Sequence, residues 1–359
     1  MKELLIAETD ELTAEESLGA THYLVEAMNR GRTQGHPWLL ISRPKGRSIT
    51  LGRFQNERSA VSFDAAEKRE LPVFRRITGG TASLLGEGFL HLALVVSFKS
   101  LPIDCEPRQF LQKYGALWVK AFIDLGLKPR YFGRDLLSIG DSPFGLLSFD
   151  IDDKGTGLVE TIIALDESIH LPDKELDGYT TQVRESPSRK AYTTVRQEDE
   201  TLDSDRVVEA VKVAVQENLN LKNRQRPLNA LEKERVRSLL KKVQVPRPKE
   251  PTSPSYMKRW RSRTIEESIG FVEATVGVTQ GRFLKDVSIH GDFMADSVGI
   301  ALLEEKLRMC PIKRRQIALS IDDVLGAPEH VILGIRRLGS ILEAIMDAAK
   351  KGVQEAEGS

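Results

Sequence analysis

The feature that most constrains the fold is a dense cluster of prolines late in the chain. Four prolines fall within residues 246–254, in the stretch VPRPKEPTSPS. Proline lacks a backbone N–H and restricts the residue before it, so this stretch favours a semi-rigid spacer over a helix or strand. The length of 359 residues exceeds one minimal domain and suits two. We therefore expect a first domain over residues 1–245, a proline-rich linker over 246–256 and a smaller second domain over 257–359.

Composition and charge exclude several classes of protein. Hydrophobic residues make up 40% of the chain and charged residues 29%, which fits a globular protein rather than a disordered one. The 52 basic and 52 acidic residues cancel, so no overall polycation would hold nucleic acid. No apolar run approaches the roughly 18 residues of a membrane span. The two distant thiols, Cys105 and Cys310, suit a reducing compartment. We expect a cytoplasmic protein with no nucleic-acid partner and no membrane partner.

Hydrophobic periodicity predicts alternating helices and strands. Thr13 and Glu16 have the spacing of a capping box, and a helix is expected from there to about residue 30. Short β-rich or apolar runs predict strands over residues 38–42, 48–52, 72–76, 91–98, 135–139, 144–149, 158–165, 265–278 (a pair) and 286–289. Further helices are predicted over 63–69, 110–125, 207–215, 230–243, 301–309 and 335–350. The expected fold class is α+β, a mixed sheet flanked by helices, with a smaller α/β second domain.

The segment with the clearest chemical meaning is RRITGGTA at residues 75–82, between two predicted strands. Glycines let backbone N–H groups approach a phosphate or carboxylate without obstruction by a Cβ atom. The two arginines before them can add charge-assisted, often bidentate hydrogen bonds to the same anion. A Gly-Gly pair in a loop is also common in plain turns. The residues alone leave both an anion site and a turn open.

The wider context of this loop resembles the lipoate–protein ligase branch of the biotin/lipoyl ligase superfamily. LGRFQN at residues 51–56 precedes RRITGGTASLLGEG at residues 75–88 in the order and spacing of the family's GRFQN-like segment and RRxSGGGAVxHxxG motif. Thr81 stands where the family has a third glycine, and Leu85 where it has a histidine.

Later segments extend the resemblance. GRDL at residues 133–136 resembles the family's GRNDL, and residues 190–196 resemble its KGVTSVRS stretch. Beyond the prolines, GDFM at residues 291–294 and LLEEKL at residues 302–307 are similar to the family's accessory C-terminal domain. The resemblance therefore implies a catalytic domain followed by an accessory domain.

An ATP-dependent lipoate–protein ligase, or a closely related acyltransferase, is the function that this resemblance implies. Lipoate or octanoate would react with ATP and Mg2+ to give acyl-AMP. The ε-amino group of a lysine on a lipoyl carrier domain would then attack it. The carrier would be a glycine cleavage H-like protein or a 2-oxoacid dehydrogenase E2 domain. The matched positions imply that the substrate is bound by Asn56, Arg75, Arg76, Gly79, Gly80, Thr81 and Lys190, and that the metal is bound by Asp135.

The family's catalytic lysine has no match in this sequence. In the family's KxSG segment this lysine binds the acyl carboxylate and the bridging oxygen of the adenylate, where charge grows in the transition state. The aligned stretch, GDSPFG at residues 140–145, puts Ser142 or Pro143 at that position. Lys154 and Arg134 are the alternative cations. The sequence thus also leaves open a non-catalytic homologue that acts as a ligand-binding or regulatory protein.

Overall fold

An eight-stranded mixed sheet forms the centre of the larger part of the chain. The computed structural model describes residues 2–132, 135–171, 192–248, 258–267, 270–279 and 282–357. The strands, in chain order, are β1 Glu3–Thr9, β2 Trp38–Ser42, β3 Arg47–Leu51, β4 Val73–Arg75, β5 Ser83–Gly86, β6 Phe89–Ser97, β7 Pro129–Phe132, β8 Leu136–Ile139, β9 Ser142–Ile151, β10 Thr156–Ala164, β11 Lys222–Gln225, β12 Trp260–Arg261, β13 Ile265–Glu267, β14 Gly270–Val278, β15 Leu284–Gly291, β16 Met294–Ala295 and β17 Ile332–Leu333. The order in the large sheet is β11-β1-β2-β6-β10-β9-β8-β7.

Helices cover both faces of this sheet. In chain order, the α-helices of the described residues are α1 Ala14–Asn29, α2 Glu57–Ala60, α3 Phe63–Lys68, α4 Pro107–Asp124, α5 Val195–Glu198, α6 Ser204–Leu219, α7 Ala230–Leu239, α8 Ser297–Leu307, α9 Arg314–Leu325 and α10 Gly339–Glu357. Those that pack on the two faces of the large sheet are α1, α4, α6 and α7. Leu4 and Ile6 of β1 belong to the core shared with α4 and α6, whereas Leu5 and Ala7 belong to the core shared with α1 and α7. Successive strand residues point to opposite faces, so both faces of the central strands are apolar. The predicted α+β class, a mixed sheet flanked by helices, is confirmed.

Two smaller units bear on the site. Strand β3 lies between β4 and β5 in a three-stranded sheet, and the segment joining β4 to β5 carries the glycine-rich loop. After the prolines, β14 pairs with β12 and β13 along one edge and with β15 along the other. Helices α8, α9 and α10 share an apolar core with this second sheet. The predicted division at residues 246–256 falls mostly on residues outside the described part, and it stays a prediction.

The two parts of the chain touch at several points. The guanidinium of Arg108 in α4 donates hydrogen bonds to the carbonyl oxygens of Gly326, Ala327 and His330 at 2.7–3.2 Å. In the described ranges, no helix has the length and apolar character needed to cross a membrane.

Candidate functional site

The glycine-rich loop, residues 76–82, runs beside the LGRFQN segment. The N–H of Arg76 donates to the carbonyl of Leu51 at 2.9 Å, and the N–H of Arg53 donates to the carbonyl of Thr78 at 2.8 Å. A Cβ atom on Gly52 would lie 2.0 Å from the carbonyl oxygen of Gly80, so only glycine fits where the two segments touch. Gly80 has φ +92°, a left-handed conformation that glycine adopts without strain. The two matched sequence motifs therefore form one unit.

Arg75 fastens the LGRFQN segment to β4. Its Nη1 donates to the carbonyl oxygens of Gly52 at 2.9 Å and Gln55 at 2.6 Å, and its Nη2 donates to the Glu57 carboxylate at 3.0 Å. Asn56 caps α2, because its side chain accepts from the N–H of Arg58 at 3.0 Å. In this structure both predicted substrate-binding residues hold the segment in shape, and their role toward substrate stays a prediction.

Arg76 lies inside the loop. Its residue exposure is 1%. Nη1 donates to Oγ1 of Thr50 at 2.6 Å, and Nη2 donates to the carbonyls of Gly79 at 3.1 Å and Thr81 at 2.8 Å. The loop is thus folded around a buried cation, which a low-dielectric interior tolerates only with hydrogen bonds and countercharge.

Asp135 supplies a carboxylate beside Gly80. A Cβ atom on Gly80 would lie 2.9 Å from Oδ2 of Asp135 and 3.7 Å from Nη2 of Arg76. The same Oδ2 accepts from the N–H of Thr81 at 2.9 Å. The structure therefore brings together five of the predicted site residues, Arg76, Gly79, Gly80, Thr81 and Asp135.

The C-terminal part of the chain packs directly on the loop. The N–H of Gly80 donates to the carbonyl of Phe293 at 2.8 Å. The rings of Phe54 and Phe293 stack with centroids 4.9 Å apart. A Cβ atom on Gly79 would lie 2.6 Å from the same Phe293 carbonyl. The GDFM segment thus accepts from one of the loop N–H groups that were predicted to approach an anion.

A chain of buried polar side chains lies beneath the loop, on the α1 face of the sheet. Oγ1 of Thr78 contacts Oε2 of Glu160 at 2.5 Å and Oγ of Ser148 at 2.8 Å. Oε1 of Glu160 contacts Nε2 of His91 at 2.9 Å, and Nδ1 of His91 contacts Oγ of Ser17 at 2.6 Å. These residues come from α1, β6, β9, β10 and the loop, so no local sequence pattern connects them.

The positions predicted for the missing lysine lie away from the contact between Thr78 and Ser148. Ser142 and Pro143 begin β9, and Ser142 precedes Ser148 by six residues, or roughly 20 Å at about 3.3 Å per residue. Strand β9, with the sequence SPFGLLSFDI, contains no lysine or arginine. Lys154 lies exposed in the turn between β9 and β10, where its N–H donates to Asp152 at 3.0 Å. Arg134 and Lys190 lie outside the described residues.

Arg53 is a cation that does reach β9, and no role was predicted for it. Its Nη1 lies 3.5 Å from Oδ2 of Asp150, a buried residue near the end of β9. The Asp150 carboxylate also accepts from the N–H of Ser297 at 2.8 Å and from its hydroxyl at 3.1 Å. Burial raises the pKa of Asp150 to about 6, although the charge of Arg53 and the Ser297 hydrogen bonds lower it. The position of Arg53 in the LGRFQN motif was the available signal.

A metal ion fits this site only together with ligand oxygens. Within the described ranges, no group of three or more His, Cys, Asp or Glu side chains is arranged to hold a metal. Mg2+ commonly binds through one or two carboxylates plus substrate phosphates and waters. The carboxylate of Asp135, which accepts from the N–H of Thr81, fits this second mode.

Many solved structures are similar to this chain in fold, and they include the following three. P. falciparum LipL1 in complex with lipoate has a TM-score of 0.66 and 13% identity, covering 99% of this chain and 100% of its own. A bipartite lipoate protein ligase from Thermoplasma acidophilum, studied with its E2 lipoyl domain, has a TM-score of 0.54 and 22% identity, covering 67% and 92%. Lipoate-protein ligase A bound with ATP has a TM-score of 0.54 and 20% identity, covering 67% and 94%.

No relative was found among curated protein sequences. A family model does match, the lipoyl protein ligase A/B catalytic domain, over residues 13–214. That range is more than half of the 359-residue chain and contains the loop, Asp135 and Glu160. The chain therefore belongs to the lipoyl protein ligase A/B catalytic domain family.

Proposed function

We propose that this protein is an ATP-dependent lipoate–protein ligase that activates lipoate or octanoate as acyl-AMP and transfers the acyl group to a lysine of a lipoyl carrier domain. The observation that carries the proposal is the glycine-rich loop, folded around buried Arg76 with Asp135 beside Gly80, inside the matched catalytic domain. The solved relatives include one with lipoate, one with ATP and one with its E2 lipoyl domain, which supports the choice of substrates and partner. An E2 domain or a glycine cleavage H-like protein would be the carrier.

Two displacements make up the reaction. The acyl carboxylate attacks the α-phosphorus of ATP, and pyrophosphate leaves. A neutral lysine amine then attacks the acyl carbon, an amide bond forms, AMP leaves, and the nitrogen loses a proton. Both steps develop negative charge that oriented N–H donors and cations stabilise. Mg2+, held by Asp135 and the phosphates, would neutralise phosphate charge.

The loop and its neighbours would bind the adenylate. Backbone N–H groups at Gly79, Gly80 and Thr81 are the candidate donors, with Arg75 and Arg76 shaping the segments that carry them. Asn56 would contribute at the LGRFQN segment, and Lys190 is proposed from the sequence alone. Because the N–H of Gly80 donates to Phe293, an anion at this position would displace that carbonyl.

The proposal includes a division of the chain. Residues 1–245 would form the catalytic domain, 246–256 the linker and 257–359 the accessory domain. The T. acidophilum ligase covers 67% of this chain and 92% of its own length, whereas LipL1 covers 99% and 100%. These proportions support a catalytic unit followed by a further unit.

A two-stage assay tests the function. The purified protein is incubated with ATP, Mg2+ and lipoate or octanoate, and acyl-AMP and pyrophosphate are measured. An isolated lipoyl domain is then added, and its mass is followed for a gain of one acyl group. Biotin in place of lipoate serves as the control acid. If neither acid gives acyl-AMP although calorimetry shows that the protein binds it, the molecule is a ligand-binding homologue and the proposal fails.

A further inference from the structure

The hydrogen-bonded chain beneath the loop, Ser17–His91–Glu160–Thr78–Ser148, is fully enclosed by protein. Each of its five residues is at most 1% exposed. The order of Ser17, His91 and Glu160 resembles that of a nucleophilic triad, but Ser17 has 0% exposure and no route to a substrate. Buried polar groups are costly unless they are satisfied, so this chain needs a different role.

Glu160 carries the charge at the centre of the chain. Burial raises the pKa of Glu160. Hydrogen bonds from His91 and Thr78 and the charges of His91 and Arg76 lower that pKa by more than burial raises it, so the net shift is downward. The carboxylate is therefore ionised and accepts from Nε2–H of His91 and from the hydroxyl of Thr78. Arg76, within the loop, receives countercharge from this buried anion.

Thr78 connects that anion to the loop. It lies midway between Arg76 and Gly80, and its hydroxyl contacts side chains on two neighbouring strands, Ser148 on β9 and Glu160 on β10. A hydrogen bond to a charged acceptor is stronger than a neutral one. The loop is thus anchored to the central sheet one residue before the glycines that would approach the acyl-adenylate.

We propose that Glu160 is a positioning residue that acts through Thr78 to hold residues 76–81 in the conformation that receives the acyl-adenylate. This inference rests on the proposed ligase function. Glu160 has no direct contact with substrate in this scheme. Its influence passes through one hydroxyl and through the charge balance of Arg76.

Substitution of Thr78 gives the most direct test. Thr78→Val keeps the shape and removes the hydroxyl, whereas Thr78→Ser keeps the hydroxyl. Thr161→Val is the matched control, because Thr161 follows Glu160 on β10, is 0% exposed, and its buried Oγ1 has no hydrogen-bond partner. For each variant we would measure kcat and KM for acyl-AMP formation, the thermal midpoint, and hydrogen exchange of the loop amides.

We expect Thr78→Val to lower kcat/KM at least tenfold, the scale of a lost hydrogen bond to a charged group. Loop amides 76–81 should exchange faster than in the wild type. Thr78→Ser should restore both values to within about threefold, and Thr161→Val should leave both unchanged. Equal kcat/KM and equal loop exchange in Thr78→Val and Thr161→Val, measured on folded protein, would overturn the proposal.

Glu160→Gln separates charge from hydrogen bonding. Glutamine can keep a contact with Thr78, because a threonine hydroxyl donates or accepts. We expect the loop amides to exchange faster in this variant too, since Arg76 loses countercharge. If the wild type forms no acyl-AMP, the ligase function fails, but the exchange comparison still decides whether Thr78 and Glu160 hold the loop.

Discussion

At the scale of single residues, the buried guanidinium of Arg76 is the most demanding feature of the site. Arg76→Ala would leave the carbonyls of Gly79 and Thr81 without this donor and would remove the cation beside Asp135. Breaking a buried charge arrangement from one side typically costs about 3–5 kcal/mol. We expect a loss of that order in the free energy of unfolding, measured by urea titration. Arg30→Ala, which removes a half-exposed ion pair with Glu26, should cost less than about 1 kcal/mol.

We expect opposite results from substituting Arg53 and Lys154, two described cations that could replace the missing lysine. The Arg53 guanidinium reaches Asp150 on β9, whereas Lys154 lies exposed in the hairpin turn. We expect Arg53→Ala to lower the rate of acyl-AMP formation at least tenfold, because loss of a single charge-stabilising donor costs roughly 10²–10³. Lys154→Ala should stay within about twofold of the wild type. The reverse pattern would place the substitute cation in the turn.

The site could be predicted from sequence only in part, and the reason is visible residue by residue. Two arginines before two glycines left open either an anion site or a plain turn. The direction of Arg76, into the loop, depends on Thr50 on β3 and could not be seen locally. Glu160 stands in an apolar strand with no local pattern, and its partners come from distant parts of the chain. Long-range pairing, rather than local propensity, places these groups.

At the scale of elements, α1 is the best-specified helix. The predicted capping box is confirmed, since Oγ1 of Thr13 accepts from the N–H of Glu16 at 3.1 Å and the Glu16 carboxylate accepts from the N–H of Thr13 at 3.2 Å. Thr13→Ala should lower the free energy of unfolding by about 1 kcal/mol, whereas Thr13→Ser should be nearly neutral. Chemical denaturation measures both. An alanine variant as stable as the wild type would contradict the assigned cap.

Elements with a clear local signal were predicted, and elements without one were missed. Strand β2 was predicted at its observed bounds, because its apolar run is bracketed by turn residues. Helix α9 was not predicted, and its N-cap, Lys313, makes no side-chain capping hydrogen bond. Strand β1 was missed because its apolar run is only the four residues LLIA, with Glu3 before it and Glu8 after it. An element without a start signal or a clear period depends on its tertiary neighbours.

At the scale of the whole molecule, Asp150 joins strand β9 to the N-terminal end of α8. Its pKa rises from 3.8 in the reference state to about 6 in the fold, because burial disfavours the charge. The protonated form is therefore favoured on folding. The stability that Asp150 contributes is fully present below about pH 4 and is lost as the pH rises through 6.

This sign makes Asp150→Asn an informative variant. We compare the free energy of unfolding of the variant with that of the wild type at each pH. This difference should favour the variant by about 3 kcal/mol more at pH 8 than at pH 4, since each pKa unit corresponds to about 1.4 kcal/mol. Urea titrations at both pH values give the comparison, with pH 4 as the internal control. A difference between variant and wild type that does not change with pH would contradict the assigned ionisation.

The pairing of β1 has a consequence for the order in which the chain can fold during synthesis. β1 lies between β2 and β11, and Glu3 pairs with Lys222. The outer face of α1 is likewise covered only once α7 has been made, and there Glu232 accepts from the hydroxyl of Tyr23 at 2.8 Å. When the ribosome has made the whole loop and both strands of the β9–β10 hairpin, β11 and α7 are still missing. The nascent chain at that stage has a sheet with an open edge and an uncovered helix. Release of the segment ending near residue 239 closes both, so a chain stopped after residue 221 should expose apolar surface and require a chaperone.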